Sequence, residues 1–200
     1  MPIRKRTNVA GLVALGVLLL IVFSTIGTYN KLIQLDQGVQ AQWAQVENAY
    51  QRRQDLVPNL VATVKGAAEF EKSTFTAVTE ARAKVGQTTA NPTGDPAQFA
   101  KAQQAQDGLS AALSRLLVVV EKYPDLKAAE NFRDLQAQLE GTENRITVER
   151  MRFNEAAQAF NSRRDSFPTN LVAGFSGARF QPKSYFKAQA GAEAAPAVKF

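Results

Sequence analysis

Counting by sevens from Phe132 gives Leu139, Ile146, Phe153, Phe160 and Phe167, six large apolar residues without an exception. On a helix that spacing keeps one stripe facing the same way for about 52 Å. A stripe of that length has to be shielded by partner rods, and a sustained seven-residue repeat is the mark of helices that supercoil to the left around one another. The companion position three along reads Leu135, Thr142, Glu149, Ala156 and Arg163, so the seam is mixed rather than wholly oily. Beside it, Glu140, Thr147, Asn154 and Asn161 form a polar row, again seven apart.

The partner rods are legible upstream. From residue 29 to about 85 the apolar positions Leu32, Leu35, Val39, Trp43, Val46, Tyr50, Val57, Val61 and Val64 recur at helical spacing. A stricter ladder runs Trp43, Tyr50, Val57, Val64, Glu71, Val78 and Val85, broken only by Glu71. Pro58 removes a backbone donor and crowds the carbonyl of Gln54; because the periodicity continues past it, a kink rather than a break is expected. "GQTTANPTGDPAQ", residues 86–98, reads as a loop where two helices turn back. A second helix is expected from about 97 to 122, carried by Phe99, Leu109, Leu113, Leu116, Leu117 and Val120. Tyr123 before Pro124 ends it, Asp125 is a plausible cap for the next helix, and Pro168 closes the last long one. The fold class is therefore all-α, with an antiparallel bundle of long helices in coiled-coil-like packing.

Ahead of the bundle, Arg4, Lys5 and Arg6 precede a stretch with no charge until Lys31. Residues 9–27 would span roughly 28 Å as a helix, close to the hydrocarbon thickness of a bilayer. A cleaved secretory signal competes with this reading, since Thr25-x-Gly27 fits a small-x-small site, but the apolar core is longer than a usual signal. The division expected is a basic terminus at 1–8, a transmembrane anchor at 9–28, the bundle at 29–170 and an irregular carboxy-terminal segment at 171–200 packing on it. Flanking charge puts the short amino terminus in the cytoplasm and the bundle outside it, in periplasm or cell wall.

Composition excludes much chemistry. With His 0 and Cys 0 the chain has no Ser-His-Asp or Cys-His arrangement, no thiolate and no zinc finger. Setting aside Arg4, Lys5 and Arg6, 21 of the 24 cations face 18 anions, a mild +3 with no basic stripe interleaved with aromatics. Nucleic acid is a poor fit.

The candidate residues read as structure. Arg53 falls on the apolar seam of the first soluble helix, where a bare charge is expensive, so it requires a carboxylate across the bundle, Glu143 or Glu149, in a pairing that fixes register. Glu140, Glu143, Asn144 and Arg145 have the one-turn spacing of a metal or acid–base carboxylate pair, but without histidine and with Arg145 and Arg150 near, a half-buried polar network is the better reading. Gly141 is expected to let another helix approach closely. The seam Trp43, Tyr50, Val57, Val64, Phe132, Leu139, Ile146, Phe153, Phe160 and Phe167 reads as core, not as a cofactor box. No catalytic, cofactor, metal or small-molecule site is expected.

The segments "YNKLIQLDQGVQAQWAQVENAYQRRQDLVPNLVATVKG", "YPDLKAAENFRDLQAQLEGTENRI", "FNEAAQAFN", "FPTNLVAGF" and "PAVKF" together resemble the LemA family of bacterial membrane-anchored proteins, from about residue 29 to 200. The resemblance implies an amino-terminal membrane helix, an antiparallel bundle and no known enzymatic activity. Arg53, Asp55, Pro58, Asn59, Glu140, Glu143, Asn144, Arg145, Asn154 and Asn161 fall on family motif positions; without Pro58 and with Glu149 they make up the polar network expected here. Phe153 stands where many members carry tyrosine, and "GFSGARFQPKSYF" is more irregular than the usual Gly-Phe-Lys-Pro run. Some descriptions of the family place the amino terminus outside the cell, opposite to the charge argument.

Past Pro168 the chain is punctuated by Gly and Pro; Phe175, Phe180, Tyr185 and Phe186 are expected to pack back onto the bundle, and the last residues suit a strap or docking peptide. Three classes of function follow: a membrane-tethered scaffold pairing with other copies or with a membrane protein, a binder of anionic lipid or envelope polymer, and, a distant third, a carboxylate hydrolase.

Overall fold

A computed structural model describes residues 9–66, 71–88, 91 and 95–188. The basic cluster at 4–6, most of the loop after residue 88 and the closing "PAVKF" lie outside the described residues.

Helix α1, Val9–Lys65, runs unbroken for about 85 Å. Its two halves obey different rules. Residues 9–27 are apolar and exposed on every side, and the helix is long and apolar enough to cross a membrane. From Thr28 onward one stripe is buried, through Leu32, Val39, Trp43, Val46, Tyr50, Val57, Leu60 and Val64. Pro58 sits inside the helix with its ring exposed. Its missing N–H leaves the carbonyl of Gln54 without an intrahelical donor, and Arg82 Nε, from the next helix, donates to that carbonyl at 3.2 Å.

The first soluble helix does not continue to Val85 as expected. It stops at Lys65, and α2, Lys72–Gly86, is a separate antiparallel helix laid back on α1. The ladder survives the break because Val78 and Val85 re-enter the same core from the returning helix. Next comes α3, Pro96–Val120, begun by Asp95, whose side chain accepts from the amide of Ala97. The short α4, Pro124–Ala128, turns the chain at the far end with Asp125 in its first turn, where no side chain caps it. Helix α5, Glu130–Asp165, returns the full length of the bundle. Directions alternate along the chain, an up-down-up-down bundle of α1, α2, α3 and α5. Among the described residues there are no strands.

The seam on α5 is buried from Phe132 through Leu139, Ile146, Phe153 and Phe160. It ends there. Phe167 is 79% exposed, because α5 stops at Asp165 and Ser166 turns extended, so the seven-residue count no longer describes a helix face. Gly141 likewise departs from expectation: a Cβ there would meet nothing within 4 Å, and the residue faces solvent rather than a close helix.

The core falls into two apolar clusters. The far one joins Val57–Val64 of α1 to α2, α3, α4 and the start of α5. The other, nearer the apolar end of α1, joins Leu32–Tyr50 to Phe99 and to Ile146, Phe153 and Phe160. Helix α3 reaches down only to the level of Trp43. Below it the core is closed by α6, Thr169–Phe175, a 3₁₀ turn at Gly177–Phe180 and an extended segment, residues 181–188, through Ala173, Phe180 and Phe186.

Candidate functional site

The two apolar clusters are separated by one layer of polar side chains. Arg53 lies between Tyr50 and Val57 on the buried face of α1 and is 0% exposed. Its Nη1 donates to Glu143 Oε1 at 2.9 Å and Oε2 at 3.2 Å, and to Ser110 Oγ at 2.6 Å. Ser110 passes its own proton on, donating to Glu143 Oε2 at 3.1 Å. Arg53 Nη2 donates to the side-chain oxygen of Gln106 and, at 3.4 Å, to its carbonyl. One guanidinium thus joins α1, α3 and α5. A slip of α1 against α5 by a turn would leave a buried cation without its carboxylate, and a slip of α3 would remove the neutral acceptors Ser110 and Gln106.

A second polar group lies one layer closer to the apolar end. Arg150 donates through both Nη atoms to Asp107 Oδ1 at 2.9 Å and through Nε to the Tyr50 hydroxyl at 2.8 Å. Burial raises the Tyr50 pKa above the ordinary phenol value, against the lowering pull of Arg150, so Tyr50 stays protonated well past neutrality. For Arg150 burial pulls downward, but Tyr50 and Asp107 outweigh it and hold the pKa above the usual guanidinium value. Its guanidinium also lies over the Phe186 ring, 5.0 Å from the centroid.

Phe186 belongs to the segment 181–188, and here the asparagine row acquires its role. Asn161 donates to the carbonyl of Lys183 at 2.9 Å and accepts from the Lys183 amide at 2.8 Å. Asn154 does the same for Phe186, at 3.0 and 2.9 Å. Gln103, on α3, does the same for Lys187, at 2.7 and 3.3 Å. Three carboxamides therefore stand in for a neighbouring β-strand, each offering one donor and one acceptor to an extended backbone. The side chains lock what the amides hold: Phe186 packs among Trp43, Phe99 and Phe153, and Lys183 is buried, paired with Asp36 and 4.6 Å from the centre of the Phe160 ring. The segment is a strap across α1, α3 and α5.

Not every residue of the expected network joins it. Asp55 and Asn59 face solvent, Asp55 accepting only from Gln51 on its own helix. Arg53 takes Glu143, not Glu149; buried Glu149 instead accepts from Arg152 at 3.2 Å and lies 3.9 Å from Arg145. Glu140, Glu143 and Asn144 do share a cleft of about 460 Å³ with Ser110 and Leu113. Both Glu143 oxygens in it are engaged by Arg53, and Glu140 accepts from Gln136. No periodic pattern marks Ser110, Gln106, Gln103, Asp107, Asp36 and Lys183 as partners. Only Asp107, a carboxylate on α3 that an arginine-rich α5 would seek, carried a signal.

These contacts hold helix to helix and strap to helix. They define a class: a helical bundle continuous with a helix able to span a bilayer, with largely buried ion pairs between its helices and its lower end closed by a backbone-clamped strap. Comparison with known proteins is specific within that class. The LemA family model matches residues 42–200, and the chain belongs to the LemA family. Among curated relatives, magnetosome protein MamQ 1 of Paramagnetospirillum magneticum is 27% identical over 202 residues, covering 91% of this chain and 74% of its own. Magnetosome protein MamQ of Magnetospirillum gryphiswaldense is 27% identical over 195 residues (88% and 71%), and protein LemA of Metamycoplasma hominis 26% over 151 residues (76% and 66%).

Proposed function

We propose that this chain is a single-pass, non-enzymatic scaffold of the bacterial inner membrane that works by self-association or by binding another membrane or envelope protein. The observation that carries the reading is the continuity of α1: one helix serves as apolar span at residues 9–28 and as spine of the bundle at residues 29–65. A bundle built on that spine, its register set by Arg53 and Glu143, holds a surface at a fixed distance from the bilayer. The non-enzymatic part is supported by Glu143, both of whose oxygens are engaged by Arg53, and by Glu140, one of whose oxygens accepts from Gln136. Flanking charge supports a periplasmic bundle, and reporter fusions at either terminus test that side.

Sedimentation of the full chain in nonionic detergent tests the function. A scaffold sediments as a defined assembly that survives a rise from about 0.1 M to about 1 M salt, where the screening length falls from roughly 10 Å to 3 Å. A monomer at both salts, with membrane-surface binding that fades as salt rises, would instead support the alternative, an electrostatic binder of anionic lipid or polymer. Crosslinking in intact membranes then distinguishes self-association from a second protein.

A further inference from the structure

Helix α6 buries Thr169 and Ala173 against the bundle and turns its other face outward. On that face, four apart, stand Leu171 and Phe175, and Phe167 lies just ahead of the helix; the three are 54%, 94% and 79% exposed. Large apolar side chains grouped in this way mark an interaction surface. What the surface meets follows from where it lies. Leu171, Val172 and Phe175 line an apolar cleft whose opposite wall is α1 from Val17 to Tyr29. That wall is about 18 Å of helix, and nearly all of it belongs to the stretch that would lie in the bilayer. The outward face of α6 is thus continuous with the apolar surface of the span. Just above it the chemistry changes. Tyr29 is half-buried with the Arg179 guanidinium 5.8 Å from its ring centre, and exposed Lys31 follows on α1. An aromatic ring and cations stacked above an apolar face form the pattern of a membrane–water boundary.

We propose that α6 is a membrane-embedded wedge, with Phe167, Leu171 and Phe175 among the acyl chains of the leaflet entered by the Thr28 end of the span, and Lys31 and Arg179 at headgroup level. The proposal rests on the reading of α1 as a membrane span. Its consequence is a second point of attachment beside the span, which sets the tilt of the bundle and stops it from turning freely about α1.

The chain has no cysteine, so single substitutions give unique spin-label sites. Phe175→Cys, Leu171→Cys, Phe23→Cys and Val118→Cys are labelled in the full chain and reconstituted in vesicles of phosphatidylcholine and phosphatidylglycerol. Accessibility to oxygen, which concentrates in hydrocarbon, is compared with accessibility to an aqueous nickel chelate. Val118, 68% exposed at the far end of the bundle, is the aqueous apolar control, and Phe23 reports the span. Positions 171 and 175 are expected to favour oxygen as position 23 does, with the ratio reversed at 118. If 23 favours oxygen while 171 and 175 follow 118, the wedge is wrong and the anchor stands. If 23 itself is aqueous, the anchor falls and the wedge with it. If 171 and 175 are shielded from both reagents, the face is covered by protein, a second copy included, and the lipid assignment is overturned.

Discussion

The Arg53–Glu143 pair is asymmetric, and the asymmetry makes a quantitative prediction. Arg53 is wholly buried, whereas the Glu143 side chain is 34% exposed. Removing the carboxylate with Glu143→Leu leaves a buried cation facing only the neutral oxygens of Ser110 and Gln106. Breaking a buried pair in this way costs about 3–5 kcal/mol, and the two neutral acceptors put the expected value near the lower end. Removing the cation with Arg53→Met is milder. The methionine fills much of the apolar stem's space and Glu143 can turn to water, so the loss is about 1–2 kcal/mol, mainly the abandoned bonds to Gln106 and Ser110. With both replaced, the cost of the stranded charge disappears, and the double variant should recover to about the level of Arg53→Met alone, about 1–2 kcal/mol below the parent. The assay is urea unfolding of the full chain in nonionic detergent, followed by the fluorescence of the single tryptophan, Trp43, which sits in the core beside Phe99 and Phe153. A difference of about 2 kcal/mol between the single variants separates their midpoints by roughly 1 M urea. If Arg53→Met is as damaging as Glu143→Leu, or if Glu143→Leu costs less than about 1 kcal/mol, the reasoning from burial is wrong.

Other consequences are as direct. Because Arg82 supplies the donor that Pro58 lacks, Arg82→Ala should cost about 0.5–1.5 kcal/mol in the parent and almost nothing beside Pro58→Ala, as a double-mutant cycle would show. Asn154→Asp and Asn161→Asp keep an acceptor for the strap amide but set a carboxylate against its carbonyl; hydrogen exchange at the Phe186 and Lys183 amides should accelerate by about tenfold or more, the equivalent of about 1.4 kcal/mol. Since the folded-state pKa of Tyr50 lies above its unfolded value of 10.0, the stability it confers is fully present below pH 10 and is lost as pH rises through the folded value. Tyr50→Phe should therefore remove part of the alkaline loss of stability, and the difference absorbance between parent and variant should show a phenol that titrates late.

The parts of the fold legible in the sequence are those that a helix repeats. Phe132 to Phe160 recur every seven residues because one face of α5 stays buried for most of its length, and Arg53 on an apolar seam announces that a carboxylate must come to it. Which carboxylate was not legible, since Glu143 and Glu149 lie only about 9 Å apart along α5 and the axial position and rotation of that helix decide between them. Arithmetic also outran structure: Val78 and Val85 keep the count of α1 from another helix, and Phe167 keeps the count of α5 after that helix has ended. The asparagine row was visible, but its partner was not. Asn154 and Asn161 bind backbone, which leaves no pattern in residues 183–187, and the burial of Lys183 against Asp36 depends on a contact between the ends of the chain.

The continuity of α1 across the membrane boundary carries the functional account, and a distance measures it. Nitroxides placed by Phe23→Cys and Glu47→Cys, both at exposed positions of α1, are separated by 24 residues, about 36 Å of helix. Pulsed dipolar spectroscopy on the full chain in phospholipid vesicles should give one narrow distribution near that length. A broad or multiple distribution, or one centred well below it, would mean that the chain bends between span and bundle and that the anchor and the body do not move as one rod.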